Sequence, residues 1–267
     1  GEGDSETIGS ETLAEALREA REAEDVQAVV LRVNSPGGSA LASDVIWRET
    51  QLLKEAGKTL VVSMGDYAAS GGYYISAGAD RIFANPTTIT GSIGVFGMIP
   101  NAQELFEDKM GLAYDEVSTH SHAGMGLNAP LDEVQLEAIN ESVTDIYDDF
   151  VALVAKGRGM TVEQVDEIAR GRVWSGEDAL AIGLVDELGN LEDAIEAAEV
   201  LAGLDAGAER VYLPEQQDPF EAFIEDLAGV EVVLDRLGLA GAELSEVRSL
   251  LRMVNEGDRV QARMPYA

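Results

Sequence analysis

Apolar residues recur at helical spacing among charges over 13–24 and predict an amphipathic helix. The β-branched run at 26–33 then ends in Asn34-Ser35-Pro36-Gly37-Gly38, which predicts a strand followed by a tight turn. Helical spacing returns over 39–56 and stops at Gly57. A second buried strand is expected at 59–64, a loop at 65–69 and a small-residue helix over 70–79, before a third strand at 81–84 closed by Asn85-Pro86. The Gly-rich, β-branched stretch 90–99 predicts strand or turn with close backbone approach. A helix at 101–110, a strand near 113–117 and a polar loop at 118–130 follow. Helices are then expected over 131–157, 161–170, 176–182 and 191–203, with extended segments at Val173-Trp174 and 184–188. Strands without polar alternation, separated by helices, predict an α/β fold with a parallel sheet covered on both faces. Beyond 204 the pattern weakens, with a late strand at 209–213 and amphipathic stretches at 219–237 and 243–255. The division expected is 1–203 as the main domain and 204–267 as a helical extension or oligomerisation arm. No internal repeat is visible.

Composition narrows the function classes. The 267 residues are 46% hydrophobic, enough for a sizeable core, yet no run approaches the roughly 20 apolar residues of a membrane span. Cysteine is absent, which excludes disulfides, thiol nucleophiles and Cys-based metal sites. The chain starts without Met, and its first twelve residues are acidic and polar, so a fragment or processed form is expected and no signal peptide is read. Fifty acidic against eighteen basic residues give a net charge of −32, which rules out a basic nucleic-acid footprint and opposes binding to an anionic membrane surface. Only Lys54, Lys58, Lys109 and Lys156 are lysines. Such an acidic, Lys-poor surface is expected of a protein adapted to high salt, where screening removes self-repulsion.

Candidate chemistry gathers at two Gly-containing turns. Strand C-terminal ends of a parallel sheet share one edge, so Gly37-Gly38 and Ala69-Ser70-Gly71-Gly72 would face one crevice. Ser70 lies where strand passes into helix, near free N–H groups and the positive dipole end that favour a developing anion. Gly71 and Gly72 let a substrate carbonyl approach the backbone, and the N–H groups of Gly71 and of Gly37 or Gly38 would make a two-donor oxyanion hole. The same spacing fits a serine N-cap beside packing glycines, so both readings stand at this level.

Longer motifs separate them. The runs 30–38 (VLRVNSPGG), 63–65 with 68–76 (AASGGYYIS), Asn85-Pro86 and 90–94 (TGSIG) closely resemble signal peptide peptidase A, a serine peptidase family. So do 171–176 (GRVWSG), Ala179 and 183–189 (GLVDELG), and the resemblance spans about 10–203 in order. It implies a ClpP/crotonase-like spiral of parallel strands and a membrane-associated homo-oligomer on the outer face of the cytoplasmic membrane. It also implies a Ser–Lys dyad that degrades residual signal peptides without cofactor or metal. Ser70 matches the nucleophile, Gly37, Gly38 and Gly71 match the oxyanion turns, and Ser92, Ile93 and Gly94 would lie beside the groove, where their backbone pairs with an extended peptide.

One expected residue is missing. The family's short form places its base lysine in the loop after the strand near 113–117, and here 117–124 contains none; His122 stands at about that position. The four lysines present all lie toward helix ends, where dipole complementarity accounts for them. The long form duplicates the domain and keeps serine and lysine in different copies. This chain resembles its C-terminal copy, so an N-terminal sister domain is expected to supply the lysine. The rival base is His122, whose pKa range suits the role. His120 and His122 lack a third metal ligand. A non-catalytic scaffold copy and, less well supported, an acyl-CoA hydratase or isomerase are the other readings. Tyr67, Tyr73 and Tyr74 are expected in the core beside Ser70, with lining of the substrate groove as the alternative, Trp47 and Trp174 as core or interface anchors, and 145–149 as a solvated helix face.

The charge balance makes a direct prediction. The melting temperature should rise through a KCl series from low to molar salt; a flat profile would remove the high-salt adaptation.

Overall fold

A computed structural model describes residues 7–115, 117, 119–120 and 126–214. At its centre β1 (Ala28–Ser35) runs parallel to β2 (Thr59–Ala69), in register from Ala28↔Thr59 to Val33↔Met64. Pairing then resumes at Ser35↔Ala68, so two steps on β1 match four on β2. Asn34 bridges the mismatch, its side-chain Oδ1 accepting the Tyr67 N–H at 3.1 Å. Gly65 makes this possible, because a Cβ there would stand 2.7 Å from Asn34 Oδ1. The loop expected at 65–69 is therefore the second half of a bent strand.

The bend gives β2 two consecutive partners on the edge opposite β1. β3 (Arg81–Ala84) pairs parallel with 61–63, and β4 (Ile89–Gly91) pairs parallel with 67–69. β5 (Val173–Ser175) then adds antiparallel to β4, and β6 (Glu187–Leu188) adds parallel to β3. The expected α/β class holds, with a six-stranded sheet that is parallel except at β4–β5.

Among the described residues seven α-helices accompany the sheet: α1 (Ser10–Glu22), α2 (Ala40–Glu55), α3 (Gly71–Ser76), α4 (Glu133–Arg158), α5 (Val162–Ile168), α6 (Gly176–Ala181) and α7 (Leu191–Ala202). Capping boxes start α4, α5 and α7, at Asp132/Gln135, Thr161/Gln164 and Asn190/Asp193, satisfying N–H groups that have no intrahelical partner. Both faces of β2 are buried over 60–65. Val62 joins the main core with Leu53, Leu60, Met64 and Tyr73, whereas its neighbour Val61 packs with Phe83, Ala194 and Ala198 beneath α7. Period-two alternation thus sends successive valines into two separate apolar layers, which is why the strand shows no polar alternation.

Three expected elements differ. The helix at 101–110 centres on a π-helical turn, Leu105–Lys109. No strand forms among the described residues of 111–117; Leu112, Tyr114 and Val117 stay exposed, without the covering neighbours a half-buried strand requires. Residues 209–213 do not form a strand either. They are held by Arg210, which pairs with Glu192 and Glu199 on α7, and by Leu213 against the core. The compact unit runs to Leu213. The amphipathic stretches 219–237 and 243–255 lie outside the described residues.

The segment 183–189 serves the fold. Arg158, buried at the end of α4, donates to both carboxylate oxygens of Asp186 at 2.6 and 3.0 Å and to the Gly183 carbonyl at 3.1 Å. Asp186 also accepts the Ile82 N–H at 2.8 Å, tying α4 to the start of β3. Asp186→Ala would strand a guanidinium whose side chain is only 7% exposed. Urea unfolding should show a loss of about 3 kcal/mol, the lower end for breaking a buried pair because the Asp186 side chain keeps some solvent contact.

Candidate active site

Ser70 closes β2 and opens α3 with φ 52° and ψ −118°, a left-handed conformation that costs a residue with a Cβ on the order of 1–3 kcal/mol. Its side chain does not cap α3 and makes no hydrogen bond among the described residues. Neighbours hold the turn: Ser70 donates its N–H to the Gly91 carbonyl at 2.9 Å and accepts from the Tyr74 N–H at 2.8 Å. The hydroxyl is thus lifted out of the strand-to-helix turn and left unspent, an arrangement suited to a nucleophile. A serine N-cap, by contrast, would aim its oxygen at its own helix.

The two Gly turns meet here. Gly37 has φ 111°, and a Cβ on it would stand 2.7 Å from Ser70 Cβ and 2.9 Å from Gly71 N. A Cβ on Gly71 would fall 2.5 Å from Ser43 Oγ and 3.3 Å from Gly38 N. The Ser70 turn leaves no room for a side chain at Gly37, and the Ser43 hydroxyl leaves none at Gly71. The donors differ in state: the Gly37 N–H donates to Ser35 Oγ at 3.2 Å, whereas those of Gly38 and Gly71 have no partner among the described residues. Gly38 is exposed, and a Cβ there would meet nothing within 4 Å.

Ser92, Ile93 and Gly94 continue from β4 beyond Gly91, beside Ser70. Ser92 is itself left-handed at φ 49°, and the Ile93 side chain is buried. Part of this backbone is occupied. Ser92 donates to the Arg172 carbonyl at 2.7 Å, and the Ile93 carbonyl accepts from the Gly171 N–H at 2.8 Å. The Ser92 carbonyl and the Ile93 and Gly94 N–H groups have no partner among the described residues.

Comparison with known families decides the affiliation, since residues 52–205 match Peptidase family S49. The chain belongs to peptidase family S49. Protease 4 of Haemophilus influenzae is 46% identical over 201 residues, covering 75% of this chain and 32% of that protein. The chloroplastic serine protease SPPA of Arabidopsis thaliana is 38% identical over 225 residues, covering 84% and 33%. A putative protease of Synechocystis is 37% identical over 217 residues, covering 79% and 76%. The chain therefore spans about a third of the length of Protease 4 and of SPPA. A solved ClpP1 mutant from Listeria monocytogenes overlays with a TM-score of 0.47 at 19% identity, covering 70% of this chain and 86% of that one.

Within this S49 domain two lysines are committed elsewhere. Lys54 donates to the Gly78 carbonyl at 2.6 Å and pairs with Asp80 at 2.9 Å, while Lys58 donates to the carbonyls of Ala20 and Ala23. Lys109 and Lys156 are exposed on the π-helical turn and on α4. His122 lies outside the described residues; His120 is exposed. Tyr67 is exposed and leaves the expected core cluster, whereas Tyr73 and Tyr74 belong to it: Tyr73 donates to the Leu184 carbonyl at 2.8 Å, and Tyr74 packs between Trp47 and Phe150 and donates to Asp44 at 3.1 Å. Burial pushes both phenols well above their usual range, with Asp44 adding to the effect on Tyr74. What sequence reasoning missed is Ser35, whose hydroxyl takes the Gly37 donor, and the 169–172 turn against Ser92 and Ile93.

Stability measurements on Ser70 variants separate strain from chemistry. Ser70→Ala keeps the Cβ in the left-handed turn and should melt close to wild type. Ser70→Gly should be more stable than Ser70→Ala by about 1 kcal/mol, the relieved strain less the extra chain entropy of glycine. Equal stability would mean that the turn stores no strain.

Proposed function

We propose that the chain is the nucleophile-bearing domain of a serine endopeptidase that cleaves extended apolar peptides, residual signal peptides among them. The observation that carries this reading is an unspent Ser70 hydroxyl beside two unspent N–H donors, Gly38 and Gly71. Ser70 Oγ attacks the scissile carbonyl carbon while a base removes its proton, and the two N–H groups receive the negative charge that forms on the carbonyl oxygen. Collapse breaks the C–N bond, the amine departs with the proton held by the base, and water releases the acyl group from Ser70 by the same steps. Of the two glycines in the first turn, Gly38 is the donor in this mechanism, because Ser35 already holds the Gly37 N–H.

The base in this reading is a lysine from an N-terminal sister domain, kept unprotonated by desolvation. Supporting it, Lys54 and Lys58 are bound to backbone carbonyls, and Protease 4 is about three times the length matched here. The domain works as a homo-oligomer at the outer face of the cytoplasmic membrane. Phe96 and Val117, 91% and 97% exposed, supply apolar surface for contact with a second copy. No helix among the described residues is long and apolar enough to cross a membrane.

The test is labelling and turnover in the complete enzyme. A fluorophosphonate should label wild type and not Ser70→Ala. Gly38→Val, whose side chain meets open space in the fold, should keep the melting temperature yet lose on the order of 10²–10³ in rate, as expected when an oxyanion donor is obstructed. Normal turnover in either variant would remove that residue from the mechanism. The chain assayed alone should be nearly inactive, and adding the sister domain should restore cleavage with His122→Ala making little difference. Robust cleavage by the chain alone that vanishes in His122→Ala would instead assign the base to His122.

A further inference from the structure

Two turns from distant parts of the chain lock together beside Ser70, and each contains two consecutive left-handed residues. In the first these are Gly91 (φ 73°) and Ser92 (φ 49°); in the second they are Arg170 (φ 58°) and Gly171 (φ 74°). The bonds between them are Ser92 N–H to the Arg172 carbonyl and Gly171 N–H to the Ile93 carbonyl. Backbones touch, since a Cβ on Gly94 would stand 2.8 Å from Gly171 N. The first turn is also tied to the nucleophile turn, because the Gly91 carbonyl accepts the Ser70 N–H.

Arg170 is the non-glycine residue that must hold an unfavourable φ for the second turn to present the Gly171 N–H. Its side chain shows how it is held. Arg170 Nε donates to Asp166 Oδ2 at 3.2 Å, and Nη2 donates to the same carboxylate one helical turn back on α5. Asp166 in turn accepts the Tyr147 hydroxyl of α4 at 2.6 Å. Hydrogen bonds from Arg170 and then Tyr147 hold the Asp166 carboxyl down to about 2, so the clamp stays charged throughout any ordinary assay range. An exposed ion pair adds little to global stability, which frees this one for a local task.

We propose that Arg170 is a positioning residue for peptide binding: clamped to Asp166, it keeps the 169–172 turn left-handed, and that turn sets the 92–94 backbone against which the substrate pairs. The proposal rests on the peptidase reading and on 92–94 as the substrate-pairing segment. Arg170 touches no reacting atom. Its effect reaches the substrate through Gly171 and Ile93, leaving the Ser92 carbonyl and the Ile93 and Gly94 N–H groups aimed at the peptide.

The complete enzyme is assayed with a long apolar peptide and with a small activated ester that occupies only Ser70 and the oxyanion donors. Arg170→Ala keeps the Cβ and removes the clamp, and it should raise KM for the peptide roughly tenfold, the scale of one released left-handed strain. Its kcat and its ester hydrolysis should stay within about twofold of wild type. Arg170→Gly adopts the turn without a clamp and should restore the peptide KM, and hydrogen exchange should show Ser92 and Gly171 amides protected in wild type and Arg170→Gly but not in Arg170→Ala. A normal peptide KM in Arg170→Ala, a KM in Arg170→Gly as poor as in Arg170→Ala, or equal losses on ester and peptide would each overturn the proposal. A wild type that hydrolyses neither substrate would overturn the peptidase reading itself, and the exchange data would then still report whether Arg170 holds the turn.

Discussion

Strand β2 must satisfy hydrogen-bonding groups on two edges along eleven residues, with β1 on one side and β3 followed by β4 on the other. A straight strand could not exchange one partner for another on the same edge so abruptly. The Asn34 carboxamide, folded against Gly65, takes up the two unmatched residues and lets the strand bend without leaving the Tyr67 N–H unpaired. Everything near Ser70 follows from that bend. It puts 67–69 beside β4, and β4 delivers the Gly91 carbonyl to the Ser70 N–H.

The candidate site is built from backbone brought closer than side chains allow. Gly37, Gly38 and Gly71 sit against one another, and Ser43 closes the remaining side of Gly71. The polar groups of this cluster then divide by task. Ser35 consumes one donor, which fixes the Gly37 turn, while the Gly38 and Gly71 donors are left for a ligand. Ser70 supplies strain as well as a hydroxyl, since its left-handed conformation persists only because Gly91 and Tyr74 bond its backbone on both sides. A fold optimised only for stability would place glycine there.

Much of this was legible in the chain. The β3 segment 81–84 was bounded by its own breakers, and the α2, α4 and α7 helices by caps and left-handed glycines, because capping and turn chemistry are local. The Ser70 and Gly-Gly turns stood out for the same reason. Errors came where a distant partner decided the outcome. Residues 65–69 looked like a loop because the residue that completes their pairing, Asn34, lies on another strand. Residues 113–117 carried a strand pattern, but its described apolar positions Tyr114 and Val117 are exposed, with no neighbour covering them.

The sequence by itself determined the α/β class and the succession of most elements, and it singled out Ser70, Gly37, Gly38 and Gly71 as the candidate site. These depend on periodicity and on conformational preferences that each short segment carries with it. Tertiary structure alone decided that Ser70 does not cap its helix, that Ser35 takes the Gly37 N–H, and that Arg170 pairs with Asp166 beside the turn bonded to Ser92 and Ile93. A hydrogen-bonding group has one or two places to fill, and which neighbour fills them is known only once segments far apart in the chain have met.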